Sequence, residues 1–173
     1  MPTSTLISHI EAAVALQQRS AGAYMAIGKT SAWDNDANPP EEDSNTEALT
    51  EIIGYKKVSQ FSLARPLKTG ETTSYPVVTY GGQQWVLIPA DKAFEEKARW
   101  VYVSAKIDPL DLPSGFFRQI GVYLDLVPKN GVTKQNLLPS EVESAGRLQF
   151  FENREPQNRT SSVYVEEQFV ITV

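Results

Sequence analysis

The sequence contains no cysteine, so disulfides, thiolate metal sites and cysteine nucleophiles are excluded. Histidine is nearly absent too. The single His9 can supply at most one member of a Ser-His-Asp triad or a multi-histidine metal site, and its helical setting favours a surface or interface role over catalysis. Basic residues are outnumbered, 16 Lys and Arg against 21 Asp and Glu, for a formal charge of -5. A nucleic-acid partner needs a basic surface, and the densest basic point here is only Lys56-Lys57. No stretch approaches the roughly 20 apolar residues of a membrane-spanning helix. Residues 1–20 lack the basic start and unbroken apolar run of a secretion signal, so the chain is expected to be made and kept in a cytoplasm.

What is present is ordinary globular material: 173 residues, 41% hydrophobic and 21% charged, enough for one cored domain with an appendage. Leu6, Ile10, Ala13 and Val14 recur at helical spacing behind candidate caps at Thr3, Ser4 and Thr5, with Ser8-x-x-Glu11 as a candidate capping box. An amphipathic helix is expected over 4–19, ended by Gly22. Tyr24–Ile27 reads as a strand, residues 29–45 as a proline- and Asp/Asn-rich loop, and 46–53 as a short helix. From there the pattern is extended: 55–64, then 74–80 joined through Gly81-Gly82 to 85–88 as a hairpin. A polar helical turn at 91–97 precedes a strand over 99–107, where Val101, Val103, Ala105 and Ile107 form the expected core face. Residues 108–115 form a loop, 116–127 a strand and Asn130-Gly131 a turn. At the end come a strand at 147–151, a polar loop at 152–159 and a strand at 162–173 with a bulge near Glu166-Glu167. The expected class is mainly β (α+β). It comprises an N-terminal helix, residues 1–20, and an antiparallel β-sandwich-like domain with long loops, residues 21–173.

The segment AYMAIGKTSAWDNDANPPEED, residues 23–43, brushes against two chemistries. Gly28-Lys29-Thr30 ends like a phosphate loop, but position 23 is Ala where the earlier glycine belongs, and an acidic loop follows instead of a helix. Asp34, Asp36 and Asn38 begin like a calcium loop, but Pro39 takes the glycine position and Asn45 replaces the closing Glu. A non-standard cation site from Asp34, Asp36 and Glu41 competes there with a solvated turn held by Asx hydrogen bonds, and the turn is favoured. The pairs Glu41-Glu42, Glu95-Glu96 and Glu166-Glu167 point apart rather than converge, and no Gly-x-Ser-x-Gly elbow occurs. No catalytic residue, metal ligand or cofactor is assigned.

As a unit, Tyr24, Ile27, Gly28, Lys29, Thr30, Trp33, Asp36, Pro39 and Pro40 resemble the start of baseplate wedge proteins from contractile-tailed bacteriophages. Ile53-Gly54-Tyr55-Lys56-Lys57-Val58 fits the sequel. Phe117-Arg118-Gln119-Ile120-Gly121-Val122-Tyr123 is similar to a strand of phage tail and baseplate components, and Leu137-Leu138-Pro139, residues 146–150 and Asn153-Arg154 fit the approach to the last strand. The resemblance implies a non-enzymatic virion protein assembled in the host cytoplasm, in several copies around the tail tube. Its implied partners are other tail and baseplate proteins and copies of itself, with no nucleic acid, membrane or small-molecule substrate. A neck or collar protein is the alternative location. A carbohydrate-binding module displaying Trp85, Trp100 and Tyr102 is the rival from another class. The interface candidates are Trp33, Pro39, Pro40, Phe116 and Phe117 on the loops, with Ile10 and Val14 on the helix. Core packing competes with an interface role for the two Phe residues. Trp33 is expected to pin its loop, either to its own domain or to a neighbour.

Overall fold

Thr5, not Ser8, opens the helix in the computed structural model, which describes residues 1–173. The Thr5 hydroxyl accepts the Ser8 N–H at 3.2 Å, and the Ser8 hydroxyl accepts the Thr5 N–H at 3.1 Å. This reciprocal cap satisfies two orphan donors and starts α1 at Leu6–Gln17, with Ile10 and Ala13 turned into the core. No helix is long and apolar enough to cross a membrane.

Twelve strands follow: β1 (Tyr24–Gly28), β2 (Gly54–Lys57), β3 (Gln60–Pro66), β4 (Val77–Tyr80), β5 (Gln83–Ile88) and β6 (Trp100–Ile107), then β7 (Gly115–Leu124), β8 (Val127–Pro128), β9 (Asn136–Leu137), β10 (Val142–Ser144), β11 (Arg147–Arg159) and β12 (Val165–Thr172). They form one sheet in the order β11-β7-β1-β2-β9, another in the order β12-β6-β3-β5-β4, and a small β10-β8 pair. Strands account for 42% of the residues and helices for 12%, so the mainly β class with one N-terminal helix holds. All registered strand pairs are antiparallel.

The chain divides into two compact units. One comprises residues 1–20, 59–104 and 168–173; the other comprises 21–58 and 105–167. In the first, Ala64, Leu87 and Tyr102 form a buried cluster flanked by Val78, Trp85, Trp100 and Val170. In the second, Tyr24, Ala26, Leu49, Tyr55, Tyr123, Leu126 and Leu137 make the cluster. Tyr55 and Tyr123 meet edge to face there, ring centroids 5.5 Å apart. Burial holds the Tyr55 phenol up at about 12, so the ring enters the core as a neutral group.

Four expectations change. Residues 46–53 form no helix, because their amides are taken from outside. The Leu49 N–H donates to the Tyr123 hydroxyl, the Thr50 N–H to Gln119 Oε1 and the Ile53 N–H to the Ile27 carbonyl. The run 55–64 breaks at Val58-Ser59 into β2 and β3, which enter different sheets. Residues 152–159 continue β11 as strand: register shifts at Leu148/Phe150 and Asn153/Gln157 scramble the period-two pattern while pairing to β7 persists. In β6, burial extends to both faces, since Tyr102 and Ser104 are covered along with Val101, Val103, Ala105 and Ile107.

Gly28 is a packing glycine. A Cβ there would sit 2.5 Å from the Thr50 carbonyl oxygen, and Lys29 donates its N–H to that same carbonyl at 2.7 Å. Backbone stands against backbone, so neither side yields cheaply. Gly28→Ala is expected to cost about 2 kcal/mol, read from urea unfolding with an unchanged m-value.

Candidate functional site

The loop from Lys29 to Ile53 leaves β1 and returns to β2, and it carries most of the residues singled out above. Neighbouring strands hold it down. Arg118 on β7, 6% exposed, grips Asp36 with two bonds, Nε to Oδ1 and Nη2 to Oδ2, both 2.8 Å. Its Nη1 donates to the Thr30 carbonyl at 2.7 Å. Asp36 Oδ1 also accepts the Trp33 N–H at 2.8 Å, so one carboxylate ties the guanidinium to the start of the turn. The Arg118 hydrogen bonds, with the Trp33 amide and nearby Lys29, hold the Asp36 carboxyl below its usual range.

A second row of polar side chains fixes the rest. Gln119 Oε1 accepts the Thr50 N–H and hydroxyl, and its amide donates to Asn153 Oδ1 at 2.9 Å. Asn153 in turn donates to the Pro40 carbonyl and, through its backbone, to Glu42 Oε1. The Trp33 indole N–H donates to the Arg154 carbonyl at 2.9 Å. Trp33 thus pins the loop to its own domain.

Gly28-Lys29-Thr30 does bind an anion, one supplied by the chain itself. The Glu51 carboxylate accepts from the Thr30 hydroxyl at 3.1 Å and from the Ser31 hydroxyl at 2.7 Å, with Lys29 Nζ at 3.6 Å. The Ser31 contact is the largest influence lowering the Glu51 carboxyl. Lys29 also lies over the Trp33 ring, 5.0 Å from its centroid. Asp36 is committed to Arg118, and no group of three or more His, Asp or Glu side chains is placed to share a metal ion.

Outward, the loop presents an open cleft lined by Trp33, Asp34, Pro39, Pro40 and Glu41 among others. It carries seven of the 21 acidic residues and only one of the 16 basic ones, a formal -6 against -5 for the whole chain. Trp33 and Pro39 are half-buried and Pro40 exposed, and Val14 is half-buried on α1. Phe116 is 50% exposed under the Arg118 guanidinium. Phe117 and Ile10, at 1% and 0%, are core residues and offer no surface to a partner. The split between the two Phe residues follows strand alternation. Trp85, Trp100 and Tyr102 do not form an exposed sugar-stacking row. Tyr102 is buried, and the two half-buried Trp rings pack edge to face at 5.5 Å against the core cluster.

Sequence reading gave Arg118, Gln119, Tyr123, Glu51, Asn153 and Arg154 no individual tasks. Polar side chains inside the otherwise apolar β7 run were the available signal, since such residues are buried only with partners.

In this arrangement the polar groups brace a loop. The whole chain, residues 1–173, matches the family described as "Baseplate wedge 3 tail fiber network component", and it belongs to that family. It is 46% identical to "Virion protein 3" of Enterococcus phage phiEF24C, across all of this chain and 96% of that one. The resemblance to baseplate wedge proteins therefore holds. The chain is a structural protein of the phage tail and baseplate.

Two outcomes test the bracing. Trp33→Phe removes the indole donor and part of the ring beneath Lys29, and is expected to cost at least about 1 kcal/mol, with faster proteolytic cutting within 29–45. The Asp36 contribution should be complete above roughly pH 4, the unfolded aspartate value, and disappear as pH falls through the lower folded value. Trp emission followed through acid titration should show that step in the wild type and lack it in Asp36→Asn.

Proposed function

We propose that the protein is a non-catalytic subunit of the baseplate wedge, present in several copies around the tail tube. It joins other virion proteins during assembly in the host cytoplasm. The braced loop 29–53 is its docking element, presenting the Trp33 edge, the Pro39-Pro40 kink and an acidic rim. The observation that carries this reading is the placement of the anchors. Arg118, Gln119 and Asn153 hold the loop from within, Asn153 by way of the Pro40 carbonyl, while the Asp34 and Glu41 side chains and the Pro40 ring face outward. A surface ordered before binding loses little conformational entropy on docking. Its predominantly acidic charge also selects partners by sign.

The test is a charge reversal that leaves the brace untouched. Asp34→Lys combined with Glu41→Lys should keep the wild-type melting temperature and lower the protein's abundance in purified tails by about tenfold. Wild-type abundance in tails would overturn the docking role of the loop. Absence of the unaltered protein from purified baseplates would overturn the wedge assignment itself.

A further inference from the structure

The two five-stranded sheets end in four edges, and three of them are guarded. β11 carries Arg147, Glu152, Arg154, Glu155 and Arg159, β12 carries Glu166 and Glu167, and β9 is two residues long beside Lys134. Charge and shortness are the usual means by which an edge avoids pairing with another chain. The edge at β4 has no charge. Residues 72–90, which include the entire β4-β5 hairpin, contain no Asp, Glu, Lys or Arg, in a chain that is 21% charged. Pro76 ends the strand but does not cover it.

The hydrogen-bond phase of β4 follows from its neighbours. The Gln84 carbonyl accepts from Leu67 on the β3 side of β5, and the Leu87 N–H donates to the Pro76 carbonyl on the β4 side. Antiparallel alternation then directs Pro76, Val78 and Tyr80 inward to β5, given the register Val78↔Trp85 and Tyr80↔Gln83. Val77 and Thr79 point their N–H and C=O groups outward. Both residues are exposed, Val77 at 40%. The hairpin turns tightly: Gly81 and Gly82 supply the two positive φ values, 59° and 73°, of its two-residue turn.

We propose that β4 pairs antiparallel with β4 of a second copy of this chain, across a two-fold axis at Val78. In that register Val77 lies opposite the partner's Thr79 and Thr79 opposite the partner's Val77. All outward N–H and C=O groups of both residues find partners at once, with no shift of register. The occupant is a copy, because an edge whose two outward residues flank one central residue is its own complement. It also lacks any charge that would repel itself or select a partner of opposite sign. The inference rests on the reading that the protein works in several copies and names the contact between two of them. A contact this short is weak in free solution and gains from the high local concentration within an assembly.

The absence of native cysteine makes the test clean. Val78 and the partner's Val78 would form a non-hydrogen-bonded pair, with Cα atoms about 4.5 Å apart, within disulfide reach. Val78→Cys is expected to form a covalent dimer under mild oxidation, while Lys129→Cys, an exposed control on β8's flank, stays monomeric. Adding Thr79→Pro removes an outward N–H without touching β5, and adding Thr79→Lys places like charges across the dyad. Either should abolish the crosslink while the thermal transition is kept. Crosslinking of Val78→Cys no faster than the control, or crosslinking indifferent to both Thr79 changes in folded protein, would overturn the proposal. A chain that fails to crosslink yet is found in baseplates loses this contact and keeps the wedge assignment. One that crosslinks but is missing from baseplates does the reverse.

Discussion

The bidentate bond from Arg118 to Asp36 is the constraint on which the second unit depends. Arg118 sits on β7, flanked by β1 and β11 in the sheet, where a guanidinium without a counter-charge would be strongly disfavoured. Its carboxylate comes from a loop of about twenty-five residues that has no regular secondary structure. A loop of that length, mostly polar and burying mainly Leu49 and Ile52 at its far end, has little apolar burial of its own to offset the entropy of ordering it. The need of the buried cation for a partner and the need of the loop for an anchor are met by one contact. Gln119, one residue along β7, then reaches the far limb of the loop through Thr50, and Asn153 reaches its middle through Pro40. Three strand residues thereby fix three points of a long irregular segment.

The same device recurs elsewhere in the chain. In the first unit, Arg65 on β3, 6% exposed, donates to both oxygens of Glu71 and to Glu96. The hydrogen bonds from Arg65 hold the Glu71 carboxyl at about 2. In the second unit, Arg159 at the end of β11 is 1% exposed and donates to the carbonyls of Asp108, Pro109, Leu112 and Pro113. The loop it supports, between β6 and β7, contains two prolines and keeps Leu110 86% exposed at its tip. Planar guanidinium groups suit this work, because one side chain offers several donors in fixed directions to a curved piece of backbone.

How much of this was legible follows from what each signal depends on. The α1 helix, the β4-β5 hairpin and β6 could be read because their patterns are local: helical spacing, a Gly-Gly turn, alternating apolar residues. Residues 46–53 look helical by composition, yet they lose that structure to Tyr123 and Gln119, which lie about seventy residues away in the chain. β11 hides because two bulges break its alternation, and its charged residues then imitate a loop. Trp33 was legible as a pin, but whether it pinned its own chain depended on Arg154, more than a hundred residues downstream. Phe116 and Phe117 could not be separated by composition, only by which of the two turned inward on β7.

The ionisable groups give the structural role its physical basis. A general acid or base working near neutrality needs a carboxyl raised, or an amine lowered, towards that range and aimed at an open site. Every carboxyl with a resolved displacement here goes the other way: Asp36, Asp43, Glu51, Glu71, Asp111 and Glu141 are all lowered. At Asp111 burial pushes upward, and Lys56 at 2.6 Å with the Asp108 N–H outweighs it. Lys57 is lowered by burial, yet its ammonium donates to the Ala21 carbonyl and rests over the Tyr24 ring. The lowered carboxylates are held in their charged form chiefly by internal partners and act as fasteners. A protein whose ionisable groups serve as fasteners can present outward surfaces in a fixed geometry, the property that a subunit of an ordered assembly requires.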